Sequence, residues 1–373
     1  MIFSARLALG LGLTTALMTT AAPVKQQSNA KMKAATSAAS TLAQGIISKY
    51  PMANGLLPAP YWSWISAGMH NTLTHYSHYT NDTQYDSQVA AGIQAQAGPG
   101  DFSGPNIPGN DDQLWWGLSA MTQAEFDPSP DDWLPLAKNV FSTVVARWQK
   151  TGSCANKLGG IGWQIDPSNP NGGYHYMNAI TNGLAFQLAA RLARYTGEQY
   201  YVDQANKIFE WSWAVGIIDN KNYAVYDGTH APDCSTMDPT QWSYNNAVYL
   251  YGAAIMLDHT GNAKWQTHLD GFIAATQRQF APNNILTEHC DVDDSCNTDQ
   301  STFKAYLARW LGQTAALVPS TQDRLMPILQ ASADAAKQGK FEGKGDAGAE
   351  MSKLEITQAV LATSRPLPRR MGA

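Results

Sequence analysis

The chain reads His78-Tyr79-Thr80-Asn81-Asp82-Thr83-Gln84-Tyr85 at a helix break near residue 80, and two later segments resemble this stretch. They are Arg194-Tyr195-Thr196-Gly197-Glu198-Gln199-Tyr200 and Asp258-His259-Thr260-Gly261-Asn262-Ala263-Lys264-Trp265. Each segment ends one run of helically spaced apolar residues and begins another. With further breaks near 128 and 319, tight turns recur roughly every 50 to 70 residues, which is the period of a helical hairpin followed by a longer return loop.

Between these turns, the apolar spacing predicts about twelve helices. They lie near 31–49, 61–79, 83–95, 110–126, 132–150, 175–195, 198–215, 241–260, 262–280, 299–317, 320–337 and 354–363. Few segments alternate like half-buried strands. Helices joined in pairs by short turns predict an all-α fold, a closed double ring of six inner and six outer helices.

The predicted ring has a polarity. A long loop rich in glycine, proline and asparagine precedes the first helix of each pair, and polar or aromatic clusters begin those helices. The clusters lie at 61–64, 111–113, 174–178, 241–246 and 299–304. If these inner helices are parallel, their amino ends meet at one end of the ring. Loops held on a rigid scaffold commonly carry functional residues, so we expect a site there.

Composition and charge exclude several classes of function. The chain has 373 residues, of which 44% are hydrophobic and 15% charged, which is typical of a globular protein with a sizeable core. The 12 tryptophans and 16 tyrosines suit both a core and a carbohydrate platform. A net charge of −5 gives no basic surface for nucleic acid or an anionic membrane.

The N-terminus resembles a signal peptide. Arg6 precedes an apolar stretch from Leu7 to Met18, and small residues at 19–22 offer a cleavage site. We therefore expect a signal peptide at 1–22 and a single catalytic domain at 23–373. No later segment is long and apolar enough to span a bilayer, and the basic end lacks the tail of a GPI signal. The mature chain is expected to be a soluble, extracellular monomer.

Four cysteines follow the predicted signal peptide, and an even count in an exported chain predicts two disulfides. Cys290 and Cys296 share one polar loop, which leaves Cys154 for Cys234, although three pairings are possible. Their spacing argues against zinc, and no metal is expected. Asn81 begins the sequon Asn81-Asp82-Thr83 and is a predicted glycosylation site.

Asp111 and Asp112 are the candidate catalytic residues. They begin a predicted helix, where acidic side chains commonly cap amide groups without any catalytic role. Two indoles follow at once, however, and partial burial raises the pKa of a carboxyl group. Adjacent carboxyls also titrate apart, leaving one ionised and one protonated. Glycoside cleavage needs that combination, and carboxyls about 5 Å apart are associated with the retaining mechanism.

A second acidic group consists of Asp291, Asp293, Asp294 and Asp299. A calcium loop starting at Asp291 needs glycine at its sixth position and glutamate at its twelfth. Those positions hold Cys296 and Thr302, so the pattern fails and a solvated disulfide loop is expected.

Other polar residues have two interpretations each. Residues 158–164, with Trp163 and Gln164, form either a sugar-binding segment or a tight turn with a packed tryptophan. Tyr244 and Asn245 either bind sugar hydroxyls or cap a helix. Lys304 and Arg309 are typical of structural ion pairs. Asn178 and Asn182 are typical of hydrogen bonds between helices.

Taken together, the motifs resemble glycoside hydrolase family 76, the endo-α-1,6-mannanases. Pro-Gly-Asn-Asp-Asp-Gln-Leu-Trp-Trp-Gly at 108–117 is similar to the catalytic segment of that family. Further similar segments are Gly159-Gly160-Ile161-Gly162-Trp163-Gln164, Asn178-Ala179-Ile180-Thr181-Asn182, Trp242-Ser243-Tyr244-Asn245, and Cys296-Asn297-Thr298-Asp299-Gln300 with Phe303-Lys304 and Ala308-Arg309-Trp310. The resemblance covers most of 40–360, in order, and departs from the family near 338–348.

The resemblance implies an (α/α)6 barrel that hydrolyses α-1,6-linked mannan with retention and needs no metal or other cofactor. It assigns Asp111 as the nucleophile and Asp112 as the acid/base. The expected substrate-binding residues are Trp115, Trp163, Gln164, Asn178, Tyr244, Asn245 and Lys304. The main hypothesis is a secreted endo-acting α-1,6-mannosidase. One alternative is a transglycosidase acting on GPI-linked or cell-wall mannose glycans, and another is a non-catalytic mannan-binding protein.

Overall fold

A computed structural model describes residues 1, 21–104, 107–127, 132–149, 154, 159–170, 172–231, 233–340, 345–365, 368 and 370–371. Most of the predicted signal peptide, the helix break at 128–130 and part of the segment that departs from the family pattern, 341–344, lie outside the described residues.

The described residues contain twelve α-helices, numbered in chain order. They are α1 Ala21–Lys49, α2 Ser63–Thr80, α3 Asp86–Gln94, α4 Asn110–Phe126, α5 Trp133–Ala146, α6 Ala179–Thr196, α7 Gln199–Val215, α8 Ser243–Thr260, α9 Ala263–Gln279, α10 Phe303–Leu317, α11 Gln322–Lys337 and α12 Ala347–Ala359.

These helices form two concentric rings. Each even-numbered helix from α2 to α12 packs on the next, and α12 packs on α2 to close the inner ring. Helices α3, α5, α7, α9 and α11 pack outside the inner helix that precedes each of them, and α1 packs outside α12. The prediction of an all-α double ring of six inner and six outer helices is confirmed.

Burial explains which helices lie inside. Every residue of α6 from Ala179 to Tyr195 is buried, because neighbours surround the helix on all sides. On α7 the buried residues follow one face, and include Ala205, Ile208 and Ser212. A helix buried all round belongs in a core, whereas one with a single apolar stripe belongs at the surface.

The repeated turn segments share one hydrogen-bond pattern. The threonine hydroxyl in each donates to the carbonyl four residues earlier and accepts the N–H two residues later, at Thr80, Thr196 and Thr260. The next residue ends the inner helix in the left-handed conformation, with φ of 61° at Asn81, 75° at Gly197 and 63° at Gly261. Glycine and asparagine adopt that conformation most easily, which explains why the segments resemble one another.

The inner ring also contains buried ion pairs. Arg191 of α6 lies 2.8 Å from Glu125 of α4, and Arg309 of α10 lies 2.6 Å from Glu355 of α12. Arg309 also donates to the Thr72 hydroxyl of α2 at 2.7 Å, so one guanidinium joins three inner helices. Arg309 therefore forms the structural ion pair that the sequence suggested.

Four helices begin four or more residues from their predicted starts, and one of them is α10, which begins at Phe303 rather than near 299. α6 begins at Ala179 rather than near 175, because Tyr176–Asn178 forms a short strand, β1. β1 pairs antiparallel with β2, Gly228–His230, which pairs with β3, Met237–Asp238. α12 begins at Ala347 rather than near 354, since the Asp346 side chain caps it. α1 begins ten residues before the predicted start near 31.

Both predicted disulfides are present, Cys154–Cys234 and Cys290–Cys296. Asn81, the predicted glycosylation site, is exposed.

None of the helices in the described part of the chain combines the length and the apolar character of a membrane-spanning segment.

Removing the guanidinium that joins three inner helices is expected to destabilise the ring strongly. Arg309→Met leaves Glu355 buried without its cation, which costs about 3–5 kcal/mol of the free energy of unfolding. Urea unfolding measures the loss. Glu198→Gln breaks the exposed Lys138–Glu198 pair and serves as the control, with an expected cost of at most about 1 kcal/mol. Equal costs for the two variants would contradict the structural role of Arg309.

Candidate active site

A cleft of about 490 Å³ opens where the inner helices begin, within the size range of small-molecule sites. Helices α2, α4, α6, α8 and α10, or the residues just before them, all contribute to it. The lining residues are Trp62, Ser63, Trp64, Pro108, Asp111, Asp112, Trp115, Trp163, Gln164, Asn169, Tyr176, Asn178, Asp227, Tyr244, Asp299 and Phe303. A larger groove of about 590 Å³ lies between α1, α11 and α12, but it holds none of the candidate catalytic residues.

The first turn of α4 places the two candidate carboxylates in the cleft. Asp112 accepts the Gly109 N–H at 2.9 Å, and Asp111 accepts the Asp112 N–H at 3.0 Å. Gly109 makes this arrangement possible, because a Cβ atom there would lie 2.2 Å from an Asp111 oxygen and 2.7 Å from an Asp112 oxygen. Asp112 therefore helps to cap the helix, as the alternative interpretation required, and also faces the cleft.

A neighbouring loop is fastened to the same helix start. The Asn110 N–H donates to the Trp163 carbonyl at 2.8 Å, and the Asn110 side chain donates to the Gly162 carbonyl at 2.9 Å. The Ile165 N–H donates to the Pro108 carbonyl at 2.9 Å. These bonds hold Trp163 beside the carboxylates, and its indole N–H lowers the pKa of Asp111.

Burial dominates the electrostatics of the pair. Burial, followed by the charge of Asp112, raises the pKa of Asp111 well above its usual value, although part of the Asp111 side chain faces the cleft. Burial also raises the pKa of Asp112 to about 7; the Gly109 N–H opposes this shift and the charge of Asp299 adds to it. Two adjacent carboxyls with raised pKa values lose their protons in separate steps, so one can act as an acid while the other is ionised.

Two further carboxylates face the cleft. Asp227 accepts the Tyr176 hydroxyl at 2.6 Å and the Asn245 amide at 3.2 Å, and Asp299 accepts the Trp64 indole N–H. Burial is the main reason that the pKa of each is raised. The sequence analysis missed Asp227, which no motif distinguishes. It expected Asp299 to lie in a solvated loop, whereas Asp299 is partly buried and lines the cleft.

Aromatic rings form much of the cleft wall. Tyr244 stacks on Phe303 with ring centroids 3.8 Å apart and an angle of 7° between the planes. Trp64 stacks on Trp115 at 5.4 Å. Trp115 was expected to bind substrate and does line the cleft, but only 2% of it is exposed, so it mainly supports Trp64.

The cleft also contains other predicted residues. Trp163, Gln164, Asn178 and Tyr244 line it. Asn178 also caps α6 through the Thr181 N–H at 3.3 Å. Asn182 bonds to the backbone of Ile161 in both directions at 3.0 Å, and so fastens a loop rather than a second helix.

Two predicted substrate-binding residues do not line the cleft, which corrects the sequence analysis. Asn245 is fully buried and holds Asp227 from behind. Lys304 is 2% exposed and pairs with Asp291 at 2.6 Å, as its alternative interpretation as a structural ion pair required. Both residues are one layer behind the cleft, because the helical turn that presents Tyr244 and Phe303 directs their neighbours inward.

The loop that carries Cys290 and Cys296 supports the cleft wall rather than standing in solvent. Glu288 accepts the Ser243 N–H at 3.0 Å, which holds the start of α8 just before Tyr244. The Glu288 N–H donates to Asp291 at 2.6 Å, and Asp291 pairs with Lys304 of α10. Burial raises the pKa of Glu288 to about 7. Asp291 is thus buried, contrary to expectation, while Asp293 and Asp294 are exposed.

Among the described side chains, no group of three or more histidine, cysteine, aspartate or glutamate residues has an arrangement that could hold a metal ion.

Comparison with known proteins places these features in a family. The chain matches the model of glycosyl hydrolase family 76 over residues 33–370. It is 37% identical over 364 residues to the mannan endo-1,6-α-mannosidase DCW1 of Saccharomyces cerevisiae, covering 89% of this chain and 80% of that protein.

Solved structures agree with the match. Dfg5 from Chaetomium thermophilum, solved in complex with glucosamine, is 35% identical with a TM-score of 0.83, over 90% of this chain and 92% of that one. The α-1,6-mannanase GH76A from a Salegentibacter species has the same fold at 16% identity, with a TM-score of 0.75 over 87% of this chain and 98% of that one.

The raised pKa values predict a pH-dependent stability. The folded state binds the Asp112 and Glu288 protons more tightly than the unfolded chain does. The contribution of these groups to stability is therefore full at acidic pH and is lost as the pH rises through about 7. Asp112→Asn should raise the free energy of unfolding by on the order of 2 kcal/mol at pH 7.5 and leave it nearly unchanged at pH 4.

Urea unfolding at both pH values measures the difference. Asp203→Asn, on the exposed side of α7, is the control and should behave like the unsubstituted protein at both. An Asp112→Asn variant with the same stability increment at pH 4 and pH 7.5 would contradict the assignment.

Proposed function

The chain belongs to glycosyl hydrolase family 76, and on that basis we propose that it is a retaining endo-α-1,6-mannosidase that cleaves the backbone of α-1,6-linked mannan. The observation that carries the proposal is the pair of adjacent carboxyls, Asp111 and Asp112, that the first turn of α4 places in the cleft. The relative DCW1, named for that activity, supports the substrate.

The resemblance to the family assigns Asp112 as the acid/base and Asp111 as the nucleophile, while burial raises the pKa of both. Asp299 raises the pKa of Asp112, which suits the residue that must carry a proton. Once Asp112 holds that proton, its charge no longer raises the pKa of Asp111. The N–H group of Asp112 still donates to Asp111, and the indole N–H of Trp163 still lowers its pKa, so both stabilise its ionised form.

The reaction then proceeds in two displacements. Asp111 attacks the anomeric carbon while the glycosidic bond breaks, and Asp112 gives its proton to the departing oxygen. The Asp112 carboxylate next takes a proton from water, whose oxygen attacks the anomeric carbon and releases Asp111. Each displacement inverts the anomeric centre, so the product keeps the configuration of the substrate.

The other cleft residues suit recognition of a sugar. Asp227 is held by Tyr176 and Asn245 in a fixed orientation, which pre-organises its oxygens to accept sugar hydroxyls. Gln164 and Asn178 add amide groups, and the Tyr244 ring adds an apolar surface. This combination of few fixed polar groups and aromatic walls is typical of carbohydrate recognition.

We also propose that the chain is exported, since its two disulfides are typical of an oxidising compartment. Sequencing the N-terminus of the protein recovered from culture medium tests this, and recovery only from the reducing cytosol would contradict it.

The first experiment incubates the protein with unbranched α-1,6-mannan and sizes the products. Internal cleavage gives a ladder of oligosaccharides, and proton NMR of the first product gives its anomeric configuration. An added mannoside acceptor tests the transglycosidase alternative, because elongated acceptors form only if sugar intercepts the glycosyl-enzyme. Binding without turnover would instead support a non-catalytic mannan-binding protein.

Asparagine substitutions separate the two carboxyl roles. Asp111→Asn should lose about a thousandfold or more in kcat/KM on every substrate, because the covalent step is lost. Asp112→Asn should lose as much on mannan but far less on an aryl mannoside with a good leaving group, which needs no proton. Steady-state kinetics with both substrates, beside melting temperatures, measures this. If the aryl mannoside restored activity to Asp111→Asn and not to Asp112→Asn, the two roles would have to be exchanged.

Gly109 provides a test of the geometry alone. Gly109→Ala should lower kcat on the order of a hundredfold, because a Cβ atom there displaces both carboxylates while leaving them chemically intact. Gly104→Ala is the matched control on the same loop, since its added Cβ meets nothing within 4 Å. Normal turnover by Gly109→Ala would contradict the placement of the pair.

A further inference from the structure

Trp62 differs from the other tryptophans of the described residues. It is 63% exposed, whereas Trp115 and Trp116 in the same part of the ring are 2% and 0% exposed. Exposed tryptophans are uncommon because the indole has the largest apolar surface of any side chain. Trp62 lines the cleft that contains Asp111 and Asp112, so its exposure lies at the opening of the site and not at an arbitrary point of the surface.

The backbone around Trp62 is held on both sides. The Tyr61 hydroxyl accepts the Ala347 N–H at 2.9 Å, and the Tyr61 ring packs edge-on against Tyr50 at 6.0 Å. On the other side, Ser63 accepts the Trp116 indole N–H at 3.0 Å. Trp62 itself precedes α2 in an extended conformation, and its carbonyl accepts the Ile65 N–H at 3.1 Å.

The Trp62 side chain is the exception in this anchored segment. Trp64, two residues later, is stacked on Trp115 and bonded to Asp299. Within the described part of the chain, no aromatic contact and no side-chain hydrogen bond involves Trp62. The backbone thus fixes the point from which the Trp62 side chain extends, while its ring face stays available to a ligand.

We propose that Trp62 is a stacking platform for a sugar ring of the substrate, in an outer subsite beyond the two sugars that flank the cleaved bond. The inference rests on the proposed function and adds where the substrate chain is held. Asp112 is buried and Asp111 partly buried, whereas Trp62 is 63% exposed, so Trp62 stands at the rim of the cleft and the reacting pair lies deeper inside it. The C–H face of a pyranose covers an indole ring well, and no hydrogen bond is needed for the contact.

The platform gives the enzyme a preference for long chains. An oligosaccharide that ends before the rim gains nothing from Trp62, whereas a chain that crosses the rim gains the stacking free energy. Part of that free energy is available to hold the chain correctly across the carboxylates. The preference for internal bonds over chain ends is then partly a property of this one side chain.

The test compares Trp62→Ala, Trp62→Phe and the unsubstituted enzyme on α-1,6-mannooligosaccharides of increasing length and on an aryl mannoside. Trp62→Ala should lose on the order of tenfold in kcat/KM on the long chains and almost nothing on the aryl mannoside, whereas Trp62→Phe should retain most of the activity. Tyr200→Ala is the control, because Tyr200 is a 49% exposed aromatic residue on α7 that does not line the cleft.

Calorimetry then measures the affinity of each variant for the same oligosaccharides. Each variant also carries Asp111→Asn, so that binding is measured without turnover. A loss in Trp62→Ala that is the same for short and long chains, or is matched by Tyr200→Ala, would overturn the platform while leaving the proposed function intact. Failure of the unsubstituted enzyme to cleave α-1,6-mannan would count against the proposed function. Length-dependent binding that still requires Trp62 would, in that case, support the platform.

Discussion

The parallel inner helices begin at the same end of the ring, and this constraint shapes the whole site. The first N–H groups of a helix have no partner within it, so several sets of unpaired donors converge on one small region. Side chains satisfy them: Asp112 at α4, Asn178 at α6, Glu288 at α8 and Asp346 at α12. The fold therefore requires acidic and amide side chains at this end for structural reasons, and the same groups are available for chemistry.

Charge is balanced differently at the centre of the ring and at the cleft. In the centre, carboxylates meet guanidinium groups, as at Arg191–Glu125. Among the described residues that line the cleft there is no lysine or arginine. Lys304, one layer behind the cleft, is already paired with Asp291. Buried carboxyls without a cation keep a proton instead, and a retained proton is what a general acid needs.

How well the sequence predicts a feature depends on how far apart along the chain the interacting residues are. The turns at Thr80, Thr196 and Thr260 are built from residues within four positions of one another, so the sequence alone predicts them. The recurrence of these turns in turn predicts the ring. The start of α6 was misplaced because Tyr176 pairs with His230, far along the chain.

The cleft shows the same division. Asp111 and Asp112 were predicted because the resemblance and the helix start mark them directly. Asp227 is held in position by the hydroxyl of Tyr176, 51 residues away in the chain, and no local sequence pattern predicts that contact. Asp299 and Asp294 are in one loop with the same side chain, and only the three-dimensional path of that loop separates the partly buried carboxylate in the cleft from the exposed one.

The closure of the ring has a consequence for how the protein is made on the ribosome. α12 fills the last place in the inner ring, between α10 and α2, and the Gln358 side chain donates to the Thr72 carbonyl, 286 residues earlier in the chain. Hairpins such as α6–α7 have partners close in sequence and can form while the chain is still emerging. The first inner helix, by contrast, exposes its apolar flank until nearly the whole polypeptide has been synthesised. The nascent chain is thus an open arc of hairpins for most of translation, and its uncovered apolar surface is prone to aggregation until the ring closes.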